Sequence, residues 1–152
     1  MKIRRLLPED TKIGVAAIEN IKGTSTTSAV VTQFLSRPDQ YFIAAMEDDR
    51  PVGFALAYEL QRIDRPHPML FLYEIEVIDS YRQKGIATAM IDLLKGICHE
   101  NRACKMFVSA NAANTPALRL YDSTFEFARK TEDIVYTLPL VADEPAEQKR
   151  GK

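Results

Sequence analysis

The sequence predicts a single α/β domain built on a mixed sheet. Segments of strand and helix periodicity follow one another in the order β-α-α-β-β-β-α-β-α-β-β, which is typical of this fold class. The chain is 152 residues long, the size of one ordinary domain, and it contains no internal repeat. With 46% hydrophobic and 27% charged residues, its composition is that of a globular protein and argues against a disordered or fibrous one.

The first half of the chain predicts two helices between a first strand and a hairpin. Residues 1–7 alternate weakly as a strand, and Pro8 opens a helix that closes near Gly23. A second helix ends before Pro38, because the residue preceding a proline is disfavoured as helix. The two hairpin strands are expected at residues 41–46 and 52–60.

The second half predicts a long strand at residues 69–78, an amphipathic helix and a further strand–helix pair. From Ile86 onward, apolar residues recur at offsets 0, 3, 4, 7, 8 and 11, which is the period of a helix packed on one face. A short strand at residues 105–110 precedes the helix-start signal Asn114-Thr115-Pro116. The last strands are expected at residues 126–128 and 134–138, which gives a domain at residues 1–139 and a polar, disordered tail at residues 140–152.

Charge and hydropathy narrow the class of partner. Twenty Lys and Arg against 21 Asp and Glu give a net charge of −1, whereas a nucleic-acid-binding domain should be clearly basic. The longest apolar runs, such as residues 54–58, are about a quarter of the ~20 residues that a membrane helix needs. Polar residues from Pro8 onward interrupt any signal-peptide core, and the two cysteines suit a reducing compartment. We therefore expect a cytoplasmic protein that binds neither nucleic acid nor membrane.

A tight basic turn joins the long strand to the amphipathic helix. The first N–H groups of a helix have no partner within it and carry the positive end of its dipole, so they can hold a phosphate. Gly85 and the small side chains of Ala87 and Thr88 let such a ligand approach the backbone, and Arg82 and Lys84 add charge. The alternative is a plain helix start with a solvated basic turn. Neither the phosphate loop of nucleotide hydrolases nor the three-glycine dinucleotide fingerprint occurs.

The pattern Val77-x-x-x-x-Arg82-x-x-Gly85-x-Ala87 resembles the acetyl-CoA motif of the GNAT superfamily of N-acetyltransferases, R/Q-x-x-G-x-G/A after the central strand. The order of elements matches that superfamily over about residues 1–138, and residues 73–95 are similar to aminoglycoside 3-N-acetyltransferases of the gentamicin and fortimicin type. The resemblance implies a mixed, mostly antiparallel central sheet with helices on both faces. It also implies acetyl-CoA as the acetyl donor, without a metal.

The resemblance further implies how the coenzyme is held. The backbone N–H groups of residues 83–88 would bind its pyrophosphate, and the strand backbone near Ile75 and Val77 would pair with its pantetheine arm. That pairing requires the sheet to splay beyond Val77. The cofactor-binding residues expected in this way are Ile75, Val77, Arg82, Gln83, Lys84, Gly85, Ile86, Ala87, Thr88, Asn114 and Tyr121.

Two carboxylates stand in the otherwise apolar long strand. Strict alternation predicts one face with Leu70, Leu72, Glu74, Glu76 and Ile78, and the other with Phe71, Tyr73, Ile75 and Val77. Burying two close carboxylates is costly and makes one a stronger base, which suits proton removal from an attacking amine. The alternative is that both lie at the solvated end of the strand, paired with Arg or Lys. The resemblance implies that Glu74 is the base, acting directly or through water, since the relatives carry an aspartate there.

Residues 111–121 resemble the family's second coenzyme segment, in which an asparagine contacts the pantetheine arm and a tyrosine points at the thioester sulfur. Asn114 and Tyr121 match these positions. A phenol, with an ordinary pKa of about 10, can protonate the leaving thiolate. The alternative is a helix cap and a core tyrosine. The family usually continues Y-x-x-x-G-F, whereas this chain has Phe125 in place of the glycine, so its helix must end without a left-handed glycine.

Acidic residues at candidate cleft positions favour a polycationic acceptor. These are Glu59, Asp64, Glu74 and Glu76. Together with the resemblance, they predict acetyl transfer to an aminoglycoside, at its 3-amino group. The alternatives are another small amine, a polyamine or a peptide as acceptor, or an acetyl-CoA-binding module without catalysis.

Relatives are often homodimers. Cys98, His99 and Cys104 have poor spacing for a zinc site, and His67 is expected to be a loop residue.

Overall fold

The computed structural model describes residues 1–125 and 129–140, and the described elements form one five-stranded sheet with helices packed against it. The strands are β1 (Lys2–Arg5), β2 (Gln40–Glu47), β3 (Arg50–Leu60), β4 (Met69–Val77) and β5 (Lys105–Val108). The helices are α1 (Thr11–Ala17), α2 (Ser28–Leu35), α3 (Ile86–Glu100) and α4 (Thr115–Thr124). Short 3₁₀ turns lie at Pro8–Asp10 and Asp79–Tyr81, and a π-helical turn lies at Ile18–Lys22.

The strands follow chain order in the sheet, β1-β2-β3-β4-β5, and all neighbours are antiparallel except β4 and β5. The parallel pair requires a crossover, which α3 supplies. Met90, Ile91 and Leu94 of α3 pack with one face of the sheet, whereas Ala17 and Val31 of the first two helices belong to the core on the other face. The predicted mixed, mostly antiparallel sheet with helices on both faces is confirmed.

A β-bulge interrupts β4 at Tyr73. Leu56 of β3 is paired with Glu74 and the next residue, Ala57, with Leu72, so Tyr73 is an extra residue in the ladder. On its other edge, β4 pairs with β5 only over Met69–Leu72. The sheet therefore parts at the bulge. The prediction that it splays beyond Val77 was wrong, because the extra residue bends β4 away from β5 several residues earlier.

The same bulge shifts the faces of β4. Leu70 and Leu72 pack in the core beneath α3, and so do Ile75 and Val77, whereas strict alternation had placed these two pairs on opposite faces. Glu74 instead faces the side of α1 and α2. The predicted face assignment was wrong, since one extra residue reverses the alternation on either side of it.

The predicted helix at residues 8–23 is present as three consecutive helical segments of different pitch. A 3₁₀ turn leads into α1, the π-helical turn follows directly, and Gly23 ends the run at φ 77°. That left-handed conformation is the usual helix stop of glycine. At the start, the Asp10 carboxylate accepts two hydrogen bonds of 2.7 Å from the Arg4 guanidinium and one of 2.9 Å from the Leu7 N–H. These contacts fix the helix to β1.

The C-terminal strands are not present as predicted. The strand expected at residues 126–128 lies outside the described residues, as does the predicted tail from residue 141 onward. The strand expected at 134–138 was wrong: residues 129–140 form no strand, and Ile134, Val135 and Tyr136 are 73%, 73% and 88% exposed. Alternating apolar residues supply β propensity, but a strand also needs a neighbouring edge to pair with. No helix within the described ranges is long and apolar enough to cross a membrane.

Candidate active site

The turn before α3 presents free backbone donors to solvent. Gln83 and Gly85 both adopt left-handed conformations, at φ 58° and 75°, and α3 begins at Ile86. The first hydrogen bond into this helix runs from the Ala89 N–H to the Gly85 carbonyl, at 2.9 Å. The N–H groups of residues 86–88 therefore lie ahead of the helical ladder. No heavy atom lies within 4 Å of the place where a Cβ on Gly85 would stand, so the cup is open.

The two basic side chains of the turn lie at the rim of this cup. Arg82 donates from Nε to the Val77 carbonyl at 3.2 Å and pairs with Asp79 at 2.9 Å. The Lys84 ammonium lies 4.8 Å from the centre of the Tyr81 ring. Both basic residues are exposed. They thus bring two positive charges to the entrance without filling it.

The edge of β4 that has left β5 leads towards this cup. Ile78 donates its N–H to the Val52 carbonyl of β3 at 2.9 Å, so its main-chain groups point towards β3. Successive residues of a strand alternate, which turns the main-chain groups of Val77 and Ile75 to the opposite side, where β5 no longer pairs. Within the described part of the chain, this stretch has no strand neighbour on that side. A ligand in extended conformation can pair there as an added strand.

Glu74 does not stand alone on its face of the sheet. Its carboxylate accepts a 2.9 Å hydrogen bond from the Lys22 ammonium at the end of the π-helical turn, and the two side chains are 17% and 24% exposed. Tyr58 of β3 lies beside them. Burial raises the pKa of its phenol, and the neighbouring Tyr73 and Glu74 raise it further. Glu74 is therefore paired with Lys, as in the sequence-based alternative, but it is mostly buried and does not lie at a solvated end of the strand.

An aromatic strip extends from this ion pair towards β5; it consists of Tyr58, Tyr73, Phe71 and Phe107. The Tyr73 ring lies edge-on to Tyr58 at 5.7 Å and to Phe71 at 6.0 Å, and Phe71 stacks on Phe107 at 4.9 Å. Tyr73, the bulge residue, is 56% exposed. The bulge therefore places an accessible aromatic face next to the Glu74 carboxylate.

The four predicted acceptor-binding acids are divided between different surfaces. Glu76 is partly buried and lies on the same face as Glu74, in register with Phe54. Glu59 lies on the opposite face, where it accepts hydrogen bonds from Tyr41 and from Asn101 at the end of α3. Asp64 pairs with Arg62 in the loop before β4, at the far end of that strand from the cup. The structure thus brings Glu74 and Glu76 together but not the other two, whose role as acceptor ligands stays a prediction.

Asn114 and Tyr121 lie at the two ends of α4. Asn114 caps the helix, its Oδ1 accepting a 3.2 Å hydrogen bond from the Ala117 N–H. Tyr121 packs against the core under α3 and lies edge-on to Phe125 at 5.6 Å. Burial raises the pKa of its phenol, so it is protonated at neutral pH. Both structural alternatives, a cap and a partly buried tyrosine, are therefore present, and a phenol of this kind is also suited to donate a proton.

The end of α4 shows how the chain manages without the usual glycine. Phe125 adopts an extended conformation at φ −93°, and its N–H bonds to the Tyr121 carbonyl. The Thr124 hydroxyl donates to the Leu120 carbonyl at 2.6 Å, and the Lys95 ammonium reaches the Thr124 carbonyl at 2.5 Å. The Thr124 carbonyl is one of the last carbonyls of the helix, which have no N–H partner within it, and Lys95 supplies a donor there.

The cysteines and histidines do not form a second catalytic site or a metal site. Burial raises the pKa of the Cys98 thiol to about 11, which keeps it protonated and unreactive. His67 is an exposed loop residue, as predicted. Among residues 1–125 and 129–140, no three His, Cys, Asp or Glu side chains are grouped as metal ligands.

The fold and the cup can be compared with known proteins. The model of the acetyltransferase (GNAT) family matches residues 10–127, which is most of the chain. The chain belongs to the GNAT acetyltransferase family. It is therefore an acetyl-transferring enzyme, and the predicted superfamily resemblance is confirmed. No curated protein sequence shows significant similarity to this GNAT chain.

Solved structures with the same GNAT fold include several aminoglycoside acetyltransferases. One, from an uncultured soil metagenomic sample and in complex with sisomicin, has a TM-score of 0.80 at 23% identity over 91% of this chain and 96% of its own. A second, HMB0005 from such a sample, has a TM-score of 0.83 at 24% identity over 92% and 98%. Aminoglycoside N-acetyltransferase AAC(6')-Iy in complex with CoA has a TM-score of 0.73 at 19% identity over 91% and 98%.

Sequence reasoning missed two residues that this GNAT site brings together. Lys22 precedes a helix-ending glycine, and nothing in the local pattern connects it with a carboxylate 52 residues later. Tyr73 was assigned to the opposite face because the bulge was not anticipated. Its aromatic character beside Glu74 was visible in the sequence, but its exposure depends on where the sheet parts.

Proposed function

We propose that the chain transfers the acetyl group of acetyl-CoA to an amino group of an aminoglycoside, with Glu74 as the base. One observation carries the proposal: the bulge in β4 places the start of the unpaired strand edge and the Glu74 carboxylate at adjacent residues. The edge suits the extended arm of the donor, and the carboxylate suits the amine of the acceptor. A single irregularity of the backbone thus brings donor and acceptor sites side by side.

The donor site fits the coenzyme in its chemistry. Three N–H groups at the start of α3, the open surface over Gly85 and the charges of Arg82 and Lys84 suit a pyrophosphate. Between the cup and the bulge, the main-chain groups of Ile75 and the N–H of Val77 suit the amides of pantetheine, whereas the Val77 carbonyl accepts from Arg82. We assign the cup to residues 82–88, and Asn114 to the arm through its side-chain amide.

The proposed acceptor site is supported by an ammonium group that already lies at its carboxylate. The Glu74 carboxylate already holds a primary ammonium ion, that of Lys22, at 2.9 Å. The exposed face of Tyr73 lies next to it and suits the apolar face of a sugar ring. Glu76 adds a second carboxylate on the same face of β4. An acceptor with several ammonium groups on a ring scaffold satisfies all three features.

The chemistry follows from these placements. Glu74 takes a proton from the acceptor ammonium, which frees the nitrogen lone pair. The nitrogen then attacks the thioester carbonyl carbon, so a C–N bond forms as the C–S bond breaks. Tyr121, protonated at neutral pH, gives its proton to the departing sulfur. The attached nitrogen is then cationic and gives its second proton to the Tyr121 phenolate. The products are the neutral acetylated amine and the free thiol, and Glu74 releases the first proton to solvent.

The identity of the acceptor class is supported by two independent features. The solved structures that share the fold include aminoglycoside acetyltransferases, one of them with sisomicin bound. The segment 73–95 resembles the 3-N-acetyltransferases, and we assign the 3-amino group on that resemblance alone.

An acceptor screen tests the proposal. The purified chain is given acetyl-CoA with sisomicin, gentamicin or fortimicin, and in parallel with spermidine and an N-terminal peptide amine, while free thiol is followed. We expect thiol release with the aminoglycosides and a product that two-dimensional NMR shows to be acetylated at the 3-amino group. Thiol release only with spermidine or the peptide would mean that the acceptor is not an aminoglycoside. Acetylation at another nitrogen would overturn the assignment of the 3-amino group.

A further inference from the structure

Lys22 occupies the place that the acceptor amine needs. Its Nζ lies 2.9 Å from Oε2 of Glu74, the carboxylate proposed as the base. The pair is mostly buried, with exposed fractions of 24% and 17%, so water screens it less than it would a surface ion pair. The ammonium group of an acceptor therefore has to displace Lys22 in order to reach this carboxylate.

The backbone fixes Lys22 at this position. The π-helical turn Ile18–Lys22 is closed by a hydrogen bond of 3.0 Å from the Gly23 N–H to the Ile18 carbonyl. Ile21, the residue before the lysine, is 8% exposed and anchors the turn in the core beside α2. The widened turn therefore holds the lysine over β4, and π-helical turns are frequent at functional sites.

We infer that Lys22 occupies the ammonium site of the acceptor and competes with the acceptor's ammonium group for Glu74. This inference rests on the proposed function. A monoamine exchanges one ammonium for another at Glu74 and gains little from the exchange. A polycation brings further charges to the acidic face of β4 while it displaces the lysine, and these charges offset the cost of the displacement. Lys22 thus lowers the affinity of every amine that uses Glu74.

The groups around Glu74 come from three elements. Lys22 faces it from the π-helical turn, Tyr58 from β3, and Tyr73 and Glu76 are its neighbours on β4. Among these neighbours, Lys22 carries the positive charge that an acceptor ammonium group has to replace.

The test compares Lys22→Met and Lys22→Gln with Lys22→Arg, which keeps the charge. Lys12→Met, on the exposed side of α1, is the matched control. For sisomicin and for glucosamine, we expect KM to fall about tenfold or more in the two uncharged variants. It should stay near the wild-type value in Lys22→Arg and Lys12→Met. Acetyl-CoA affinity should stay unchanged throughout.

A binding measurement separates this inference from the proposed function. Calorimetry on protein saturated with CoA should show that glucosamine binds about tenfold more tightly to Lys22→Met or Lys22→Gln than to the wild type. In these variants no lysine ammonium group competes with glucosamine for Glu74. Equal affinities, with unchanged KM values, would overturn the role of Lys22. Absence of turnover with every amine would overturn the proposed function, while the affinities would still decide the inference. Thermal melting confirms beforehand that each variant is folded.

Discussion

Two side chains carry the proposed proton transfers, and their surroundings suit opposite roles. Glu74 lies 2.9 Å from an ammonium group, that of Lys22, which is the kind of group that an acceptor amine presents to it. Tyr121 lies among apolar residues of the core, and this burial raises the pKa of its phenol. Tyr121 is therefore protonated at neutral pH, as the donor of the last proton has to be.

Glu74→Gln should lower kcat for the amine by about 10²- to 10⁴-fold, the usual contribution of a positioned base. The amide keeps the shape of the side chain but cannot take the proton. Acetyl-CoA affinity, measured by calorimetry, should stay unchanged because the cup lies elsewhere on the backbone. Glu100→Gln, on the exposed end of α3, is the control. Ordinary turnover in Glu74→Gln would remove this residue from the reaction.

Tyr121→Phe should lower kcat by about 10²-fold with acetyl-CoA, because the departing thiolate loses its proton donor. A more acidic thiol leaves as the thiolate without needing a proton. With an acetyl thioester of an aromatic thiol as donor, the difference in kcat between Tyr121→Phe and the wild type should therefore be smaller. Phenylalanine keeps the ring contact with Phe125, and the melting temperature should change little. An equal loss with both donors would assign Tyr121 to packing alone.

At the scale of elements, two glycines of the α3 region separate ligand binding from helix stability. Gly85 has φ 75° and no neighbouring heavy atom within 4 Å of a Cβ, whereas Gly96 lies within the helix and is equally unobstructed. A side chain at the first position meets backbone strain and covers the phosphate cup. At the second position it meets neither.

Gly85→Ala should cost about 1–2 kcal/mol of unfolding free energy, since an L-residue is strained in the left-handed region. Acetyl-CoA affinity should fall about tenfold or more, because the methyl group stands where the phosphate approaches the amides. Gly96→Ala should instead raise stability by about 0.5–1 kcal/mol and leave affinity unchanged. Denaturant melts and calorimetry measure both. Wild-type affinity in folded Gly85→Ala would place the pyrophosphate elsewhere.

Element boundaries could largely be predicted from the sequence, but the bulge could not. The helix from Ile86 and the start of α4 follow from apolar spacing and from the Asn-Thr-Pro signal, and both are confirmed. The bulge depends on how β4 pairs with β3 and β5 at once, which no local pattern in β4 reveals. The Glu74 position was therefore assigned correctly to the strand and incorrectly to a face.

At the scale of the whole molecule, the order of elements determined the fold class because each periodic segment buries one face against the sheet. The pairing of Glu74 with Lys22 joins residues that are distant in the chain, so it could only come from the folded structure. The segment at 134–138 shows the opposite limit: its alternation predicted a strand, yet these residues have no strand partner in the described part of the chain.

The parting of the sheet gives the last prediction, which concerns the coenzyme arm. β4 is paired on both sides at Met69–Leu72 but only with β3 at 74–77. Without coenzyme, the amides of Ile75 and Val77, which point away from β3, should exchange their hydrogens quickly, while Leu70 and Leu72 exchange slowly. Saturating acetyl-CoA should slow exchange at Ile75 and Val77, because the extended arm pairs with them as a strand would.

Amide exchange followed by NMR resolves these residues one by one. Leu70 and Leu72 serve as internal controls, since their side of the sheet is already closed by β5. Adenosine 3′,5′-bisphosphate, which lacks the arm, provides the second control and should leave Ile75 and Val77 unprotected. Protection at the start of α3 without protection at Ile75 and Val77 in the presence of acetyl-CoA would mean that the arm takes a path away from β4. The base would then have to be sought along that path, because Glu74 serves the thioester only if the arm follows the open edge.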